Sequence, residues 1–295
     1  MSPSPHFQIL GPKHNFLGID SSGGWEESEV VVVPVPLEKT TTYLKGTAKG
    51  PFALLSASHQ VELFDEELER ETYRQGIVTL SPLRFPKSQE KALSLIESTI
   101  ELLLRNKKWP FLIGGEHTLT VGAIRAFSRI YKNLSVLHFD AHADLRNSYE
   151  DSLYNHACVM ARVKEMCSFV SVGIRSLSSE EASLIQKEHL PVYTMQKMQK
   201  EKDWQAKSLS QLTDTVYITL DLDVFDPSIL PTVGTPEPGG MGWFELLEYL
   251  QKVFHEKHVV GMDVVELCPL PGMEYGVFTA AKWVYRMIGY HYLGK

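Results

Sequence analysis

The nine residues Val136-Leu137-His138-Phe139-Asp140-Ala141-His142-Ala143-Asp144 constrain this chain more than any other stretch. They begin as an apolar strand and end in three side chains of metal-ligand type at alternate positions. Along an extended backbone successive side chains point to opposite faces, so Asp140, His142 and Asp144 can look into one pocket. A second apolar run, Tyr217 to Asp223, repeats the device with Asp221 and Asp223 two apart. Carboxylates crowded this closely repel unless positive charge sits among them. Two divalent cations would supply it, and five carboxylate and imidazole ligands suit a paired site better than one ion.

The rest of the chain alternates short apolar runs with amphipathic ones. Val30–Val35, Ile77–Leu80, Trp109–Ile113, Val136–Asp140, Phe169–Ile174, Val216–Asp221 and Val259–Val265 read as strands. Helices are expected from Gly50-Pro51 to Val61, over Ser88–Asn106, from Thr118 to about Tyr131, and over Asn155–Met166, Ser179–Glu188, Trp243–His255 and Phe278–Tyr292. Strands that are apolar nearly throughout belong in a parallel sheet covered on both faces. The expected fold is a three-layer α-β-α sandwich with a mostly parallel central sheet. Nothing divides residues 1–295 into separate domains, and the Gly-, Pro- and Ser-rich residues 1–29 read as an arm on the body or on a neighbouring subunit. The acidic stretch Glu62 to Glu71 reads as solvated surface.

Composition narrows the function. Lys plus Arg is 29 and Asp plus Glu is 36, a formal charge of −7 with no basic run, which speaks against nucleic acid as a partner. No apolar run approaches the ~20 residues that a membrane span needs. The N-terminus lacks the basic and apolar regions of a secretory signal. Cys158, Cys167 and Cys268 are odd in number and have no C-x-x-C spacing, so buried thiols in a reducing cytoplasm are expected rather than disulfides.

The polar clusters all follow strands on their C-terminal side, the edge at which parallel α/β sheets place their sites. His117 follows Trp109–Ile113 through Gly114-Gly115-Glu116, and Glu266 follows Val259–Val265. His156 stands twelve residues past Asp144 and is placed to reach the same edge, so proton transfer and a structural role are both open to it. His138 lies deeper and reads as a hydrogen-bonded core histidine, Asp226 before Pro227 as a turn residue, and Asp263 as structural.

Together Gly114-Gly115-Glu116-His117, Asp140-Ala141-His142-Ala143-Asp144, Asn155-His156-Ala157, Asp221 to Pro227 with Gly234-Thr235-Pro236, and Asp263-Val264-Val265-Glu266 resemble the ureohydrolase family of arginases and agmatinases, in order and approximate spacing. The resemblance implies an arginase/deacetylase-like fold and two Mn²⁺ ions per subunit. His117, Asp140, Asp144 and Asp221 would hold one ion and Asp140, His142, Asp221 and Asp223 the other. It implies that His156 shuttles protons, that Glu266 pairs with a small cationic guanidino substrate, and that the chain assembles as a trimer or hexamer; with metals in place, Asp144 could orient the attacking hydroxide. Where arginases carry Asn and Asp for the α-amino acid head, Arg146 and Ser176 stand here, which points to agmatine, cleaved to urea and putrescine in polyamine biosynthesis. N1-aminopropylagmatine, guanidinobutyrate, arginine and guanidine are the alternatives within the family. A single-zinc deacetylase of the same fold is the alternative outside it.

Overall fold

The computed structural model describes residues 7–20 and 24–293. Its strands are β1 (Val30–Val35), β2 (Phe64–Asp65), β3 (Arg70–Glu71), β4 (Ile77–Thr79), β5 (Trp109–Gly114), β6 (Leu134–Phe139), β7 (Ser168–Ile174), β8 (Val192–Thr194), β9 (Thr215–Asp221) and β10 (His258–Val265). Eight of them form one sheet in the order β4-β1-β5-β10-β9-β6-β7-β8. Every pairing in that sheet is parallel.

The alternation of side chains along β1 shows why helices cover both faces. Val30 and Val32 enter one apolar core, with Leu54, Leu246 and Val277 of the helices Gly50–Ser58, Trp243–Glu256 and Glu274–His291. Val31, Val33 and Val35 enter the other, with Leu93, Val121 and Val159 of the helices Gln89–Arg105, Leu119–Ile130 and Val159–Lys164. The three-layer expectation holds. Ser88 caps its helix by accepting from the Lys91 N–H, and Pro51 sits in the first turn of the helix that Gly50 opens.

Strand order explains how distant segments meet. The strands that precede His117, Glu266, the Asp221 pair and the Asp140 cluster are the neighbours β5-β10-β9-β6. Phe139 pairs with Leu220, and Val265 pairs with Asp221, so these strands finish at one level.

Two expectations need correction, and one strand had no counterpart among them. The acidic stretch is not plain solvated surface. Asp65 opens the β2–β3 hairpin and is buried with Arg286, whose guanidinium also pairs with Glu66 and Glu67. A charged helix residue in the core needs such partners, and they come from more than 200 positions upstream. Strand β8 has only three residues, too few for a periodicity to register. The last helix begins at Glu274, one turn before Phe278. In the arm, Ile9 bridges Leu80, and Phe16, Leu17 and Trp25 are buried, so the described part packs on the body; residues 1–6 and 21–23 lie outside the described residues. No described helix is long and apolar enough to cross a membrane. The three cysteines are free thiols, with Cys158 and Cys268 buried.

Candidate functional site

At the C-terminal edge of β5, β6, β9 and β10, His117, Asp140, His142, Asp144, Asp221 and Asp223 converge. His117 Nδ1 lies 3.1 Å from Asp140 Oδ2, 3.3 Å from Asp144 Oδ2 and 3.5 Å from Asp221 Oδ2. His142 Nδ1 lies 2.9 Å from Asp223 Oδ2 and 3.4 Å from Asp140 Oδ1. Asp140 therefore faces both imidazoles, one through each oxygen. Two groups whose ligand atoms lie within 4.8 Å of one another, one around His117 and one around His142, share this carboxylate.

Backbone amides aim the carboxylates. Asp221 Oδ1 accepts the Asp223 N–H at 2.9 Å, and Asp223 Oδ1 accepts the Ala141 N–H at 2.9 Å. The second oxygen of Asp221 is left for the centre, and that of Asp223 faces His142 Nδ1 and also accepts from Thr235 Oγ1 at 3.5 Å. Asp140 Oδ1 accepts the His142 N–H, and its Oδ2 meets His138 Nε2 at 2.9 Å. The other ring nitrogen of His138 meets Ser171 Oγ, so His138 is the hydrogen-bonded core histidine expected and steadies Asp140.

The parity argument reached the right residues by a simplified route. β6 ends at Phe139, and Asp144 has a left-handed backbone, φ 52°. Asp221 ends β9, but Asp223 sits in the 3-10 turn Leu222–Val224. Glu266 is also left-handed, φ 63°. Non-glycine residues adopt this conformation at a cost, and such costs collect at functional sites.

His117 is held from behind. Its Nε2 lies 2.9 Å from Thr219 Oγ1, whose hydroxyl donates to Asp263 Oδ1 at 2.6 Å. With the Thr219 proton committed to Asp263, the Thr219 oxygen accepts from Nε2–H, and Nδ1 is the ring nitrogen that faces the carboxylates. Tyr217 and Thr120 hydroxyls donate to Asp263 Oδ2, so Asp263 is structural, as expected. Gly115 makes the preceding turn possible, because a Cβ there would lie 2.0 Å from the Leu37 carbonyl oxygen.

The electrostatics are those of a site with too much negative charge. Burial, then the charges of Asp223 and Asp140, drives the Asp221 carboxyl well above its ordinary range. Burial and the Asp140 charge raise Asp144. Glu266 is pushed up to about 8, first by burial and then by Glu116 and Asp223 against the opposing pull of His117. Burial opposes charge on His142, yet Asp223 and Asp140 lift it to about 12. His117 Nδ1 is buried without a hydrogen bond while three carboxylates stand around it. This donor set of imidazole nitrogen and carboxylate oxygen fits divalent first-row cations, which would satisfy that nitrogen and offset the repulsion.

Glu266 and His156 join the same cleft, about 250 Å³ in volume. Glu266 Oε1 accepts the His117 N–H at 2.7 Å, and no described residue donates to Oε2. His156 begins a 3-10 turn capped by the Asn155 side chain, at the head of the helix expected there. Tyr149 and Arg146 form part of the wall, the guanidinium lying over the Tyr149 ring.

Several supporting residues were not legible from sequence. Arg175 donates to the carbonyls of Asp223 and Glu237 at 2.6 and 2.8 Å, stapling the loop that follows Asp223. Glu116, Glu38 and Thr40 fix the loop between β1 and its helix. Asp226 accepts from Ser228, Gly239 and Gly240 and holds its turn, as its place before Pro227 suggested.

Comparison with known proteins agrees with this geometry. The Arginase family model matches residues 28–289. The chain is 38% identical to the N(1)-aminopropylagmatine ureohydrolase of Synechocystis sp., over 97% of this chain and 96% of that protein. It is 37% identical to the enzyme of the same name from Thermus thermophilus, over 90% of this chain and 91% of that one. Among solved structures, the agmatine ureohydrolase of Thermoplasma volcanium superposes with a TM-score of 0.83 at 29% identity, covering 92% of each chain. This chain belongs to the arginase family of ureohydrolases.

Proposed function

We propose that the chain, acting as one domain, hydrolyses the guanidino group of N1-aminopropylagmatine, with agmatine as the second reading. The position of Asp140, one oxygen toward His117 and the other toward His142, carries the reading of a paired metal centre. His117, Asp140, Asp144 and Asp221 would hold one cation, and Asp140, His142, Asp221 and Asp223 the other. Manganese is the expected metal. Bound there, two divalent cations would neutralise the carboxylates and bring the pKa of water between them toward neutrality.

The remaining steps belong to side chains. A guanidinium is planar and always charged, and it presents its N–H groups as a fork. Glu266, with Oε2 free of protein donors, can receive that fork, and the arriving positive charge favours its ionised form. Asp144 orients the attacking water. Hydrolysis places the guanidinium carbon in urea, and the departing nitrogen must gain a proton to leave as an amine. His156, in the wall of the cleft, supplies it.

The longer substrate is favoured by the likeness to the Synechocystis and Thermus enzymes, and agmatine by the likeness to the Thermoplasma structure. Arg146 and Ser176 in the wall stand where arginases hold the amino-acid head, which disfavours arginine. The resemblance adds a homo-oligomer, trimer or hexamer, at work in cytoplasmic polyamine biosynthesis. Urea release with Mn²⁺ across N1-aminopropylagmatine, agmatine, guanidinobutyrate and arginine tests the reading. The expected order puts N1-aminopropylagmatine first, and no urea from any of them at full metal loading overturns it.

A further inference from the structure

The loop between β1 and the helix Gly50–Ser58 does more than line the cleft. Thr40 Oγ1 accepts the backbone N–H of His156 at 3.0 Å and lies 3.2 Å from His156 Nδ1. The residues are 116 positions apart. Thr40 is fixed in turn, because its own N–H and that of Lys39 donate to Glu116 Oε2 at 2.6 and 2.5 Å. Glu116 is fully buried at the foot of the His117 segment, and its Oε1 accepts from Gln89 Nε2. Glu38 Oε1 accepts the Gly46 N–H at 2.6 Å, tying the far end of the loop.

We propose that Thr40 is the positioning residue for His156 and that Glu116 is its anchor. The inference rests on the proton-transfer role proposed for His156. The Thr40 oxygen can accept from Nδ1–H in both states of the ring while proton exchange takes place at Nε2. With neutral imidazole, Nδ1–H donates to Thr40 Oγ1 at 3.2 Å, and Nε2, which has no protein partner among the described residues, is left bare to take a proton. With imidazolium, Nδ1–H still donates to Thr40 Oγ1; in both states the hydroxyl proton turns toward Thr118 Oγ1 at 3.5 Å. The ring gives its Nε2 proton to the departing amine and regains one from water without rotating. A proton donor must be held at a set position to act efficiently, and its outer partners fix that position.

The test compares Thr40→Val, Thr40→Ser, His156→Ala and the double variant Thr40→Val/His156→Ala on the substrate hydrolysed fastest, with metal content and thermal midpoint measured for each. Thr40→Val keeps the side-chain shape without the hydroxyl. Its kcat should fall on the order of tenfold with KM nearly unchanged and metal content intact, while Thr40→Ser recovers most of kcat. The double variant should be no slower than His156→Ala alone. If His156→Ala is slow but Thr40→Val turns over as wild type, Thr40 has no such role and the reading of His156 stands. Equal losses in the Val and Ser variants, or additive losses in the double variant, also overturn the proposal. If His156→Ala itself turns over as wild type, the proton-transfer reading falls, and this inference falls with it.

Discussion

The backbone N–H of His117 donates to Glu266 Oε1 at 2.7 Å, which ties a residue at the metal centre to the carboxylate proposed to receive substrate. Glu266 N–H returns a bond to the Gly115 carbonyl, so the ends of β5 and β10 are clasped from both sides. Glu266→Gln keeps an acceptor for His117 and removes the charge. The variant should fold, hold its metal and lose turnover by about 10²-fold or more, since an ion pair with a buried guanidinium becomes a neutral contact. Turnover near wild type would remove Glu266 from substrate binding.

His156→Ala should retain both metals and lose turnover by about 10²-fold, the contribution typical of a positioned proton donor. Metal analysis beside urea release checks it. Loss of metal in this variant would mean that His156 supports the centre rather than the leaving group.

Metal binding should release protons. In the metal-free chain His142 is lifted to about 12, chiefly by Asp223 and Asp140 against burial, and His117 and Asp221 are raised too. Each shift favours the protonated form, and these groups must be deprotonated to ligate, so affinity should rise with pH, up to about tenfold per unit for each proton released. Titration calorimetry in buffers of differing ionisation enthalpy measures the proton count. A count of zero at pH 7 would contradict this electrostatic picture.

Arg286 fixes the β2–β3 hairpin to the last helix through Asp65, Glu66 and Glu67. Arg286→Ala leaves the buried Asp65 carboxylate unpaired and should destabilise the fold by about 3–5 kcal/mol. Denaturant unfolding checks the size. A change below ~1 kcal/mol would place this network among surface ion pairs.

What could be read from sequence was the material that obeys short-range rules. Apolar runs of four to seven residues announced the sheet. Ligand-type side chains two apart at the ends of those runs announced Asp140, His142, Asp144, Asp221 and Asp223, which the structure brings together with His117. What stayed hidden depends on contacts across long separations. Nothing near Thr40 indicates that it meets His156, and nothing near Asp65 indicates Arg286. The left-handed backbones of Asp144 and Glu266 were hidden for a related reason, since neither is a residue type that favours that conformation strongly enough to announce it.

The most direct test of the paired centre is the anomalous scattering of manganese in crystals of the loaded protein. Two peaks should appear, one beside His117 and one beside His142, with Asp140 between them. A single peak, or two peaks away from these side chains, would contradict the account.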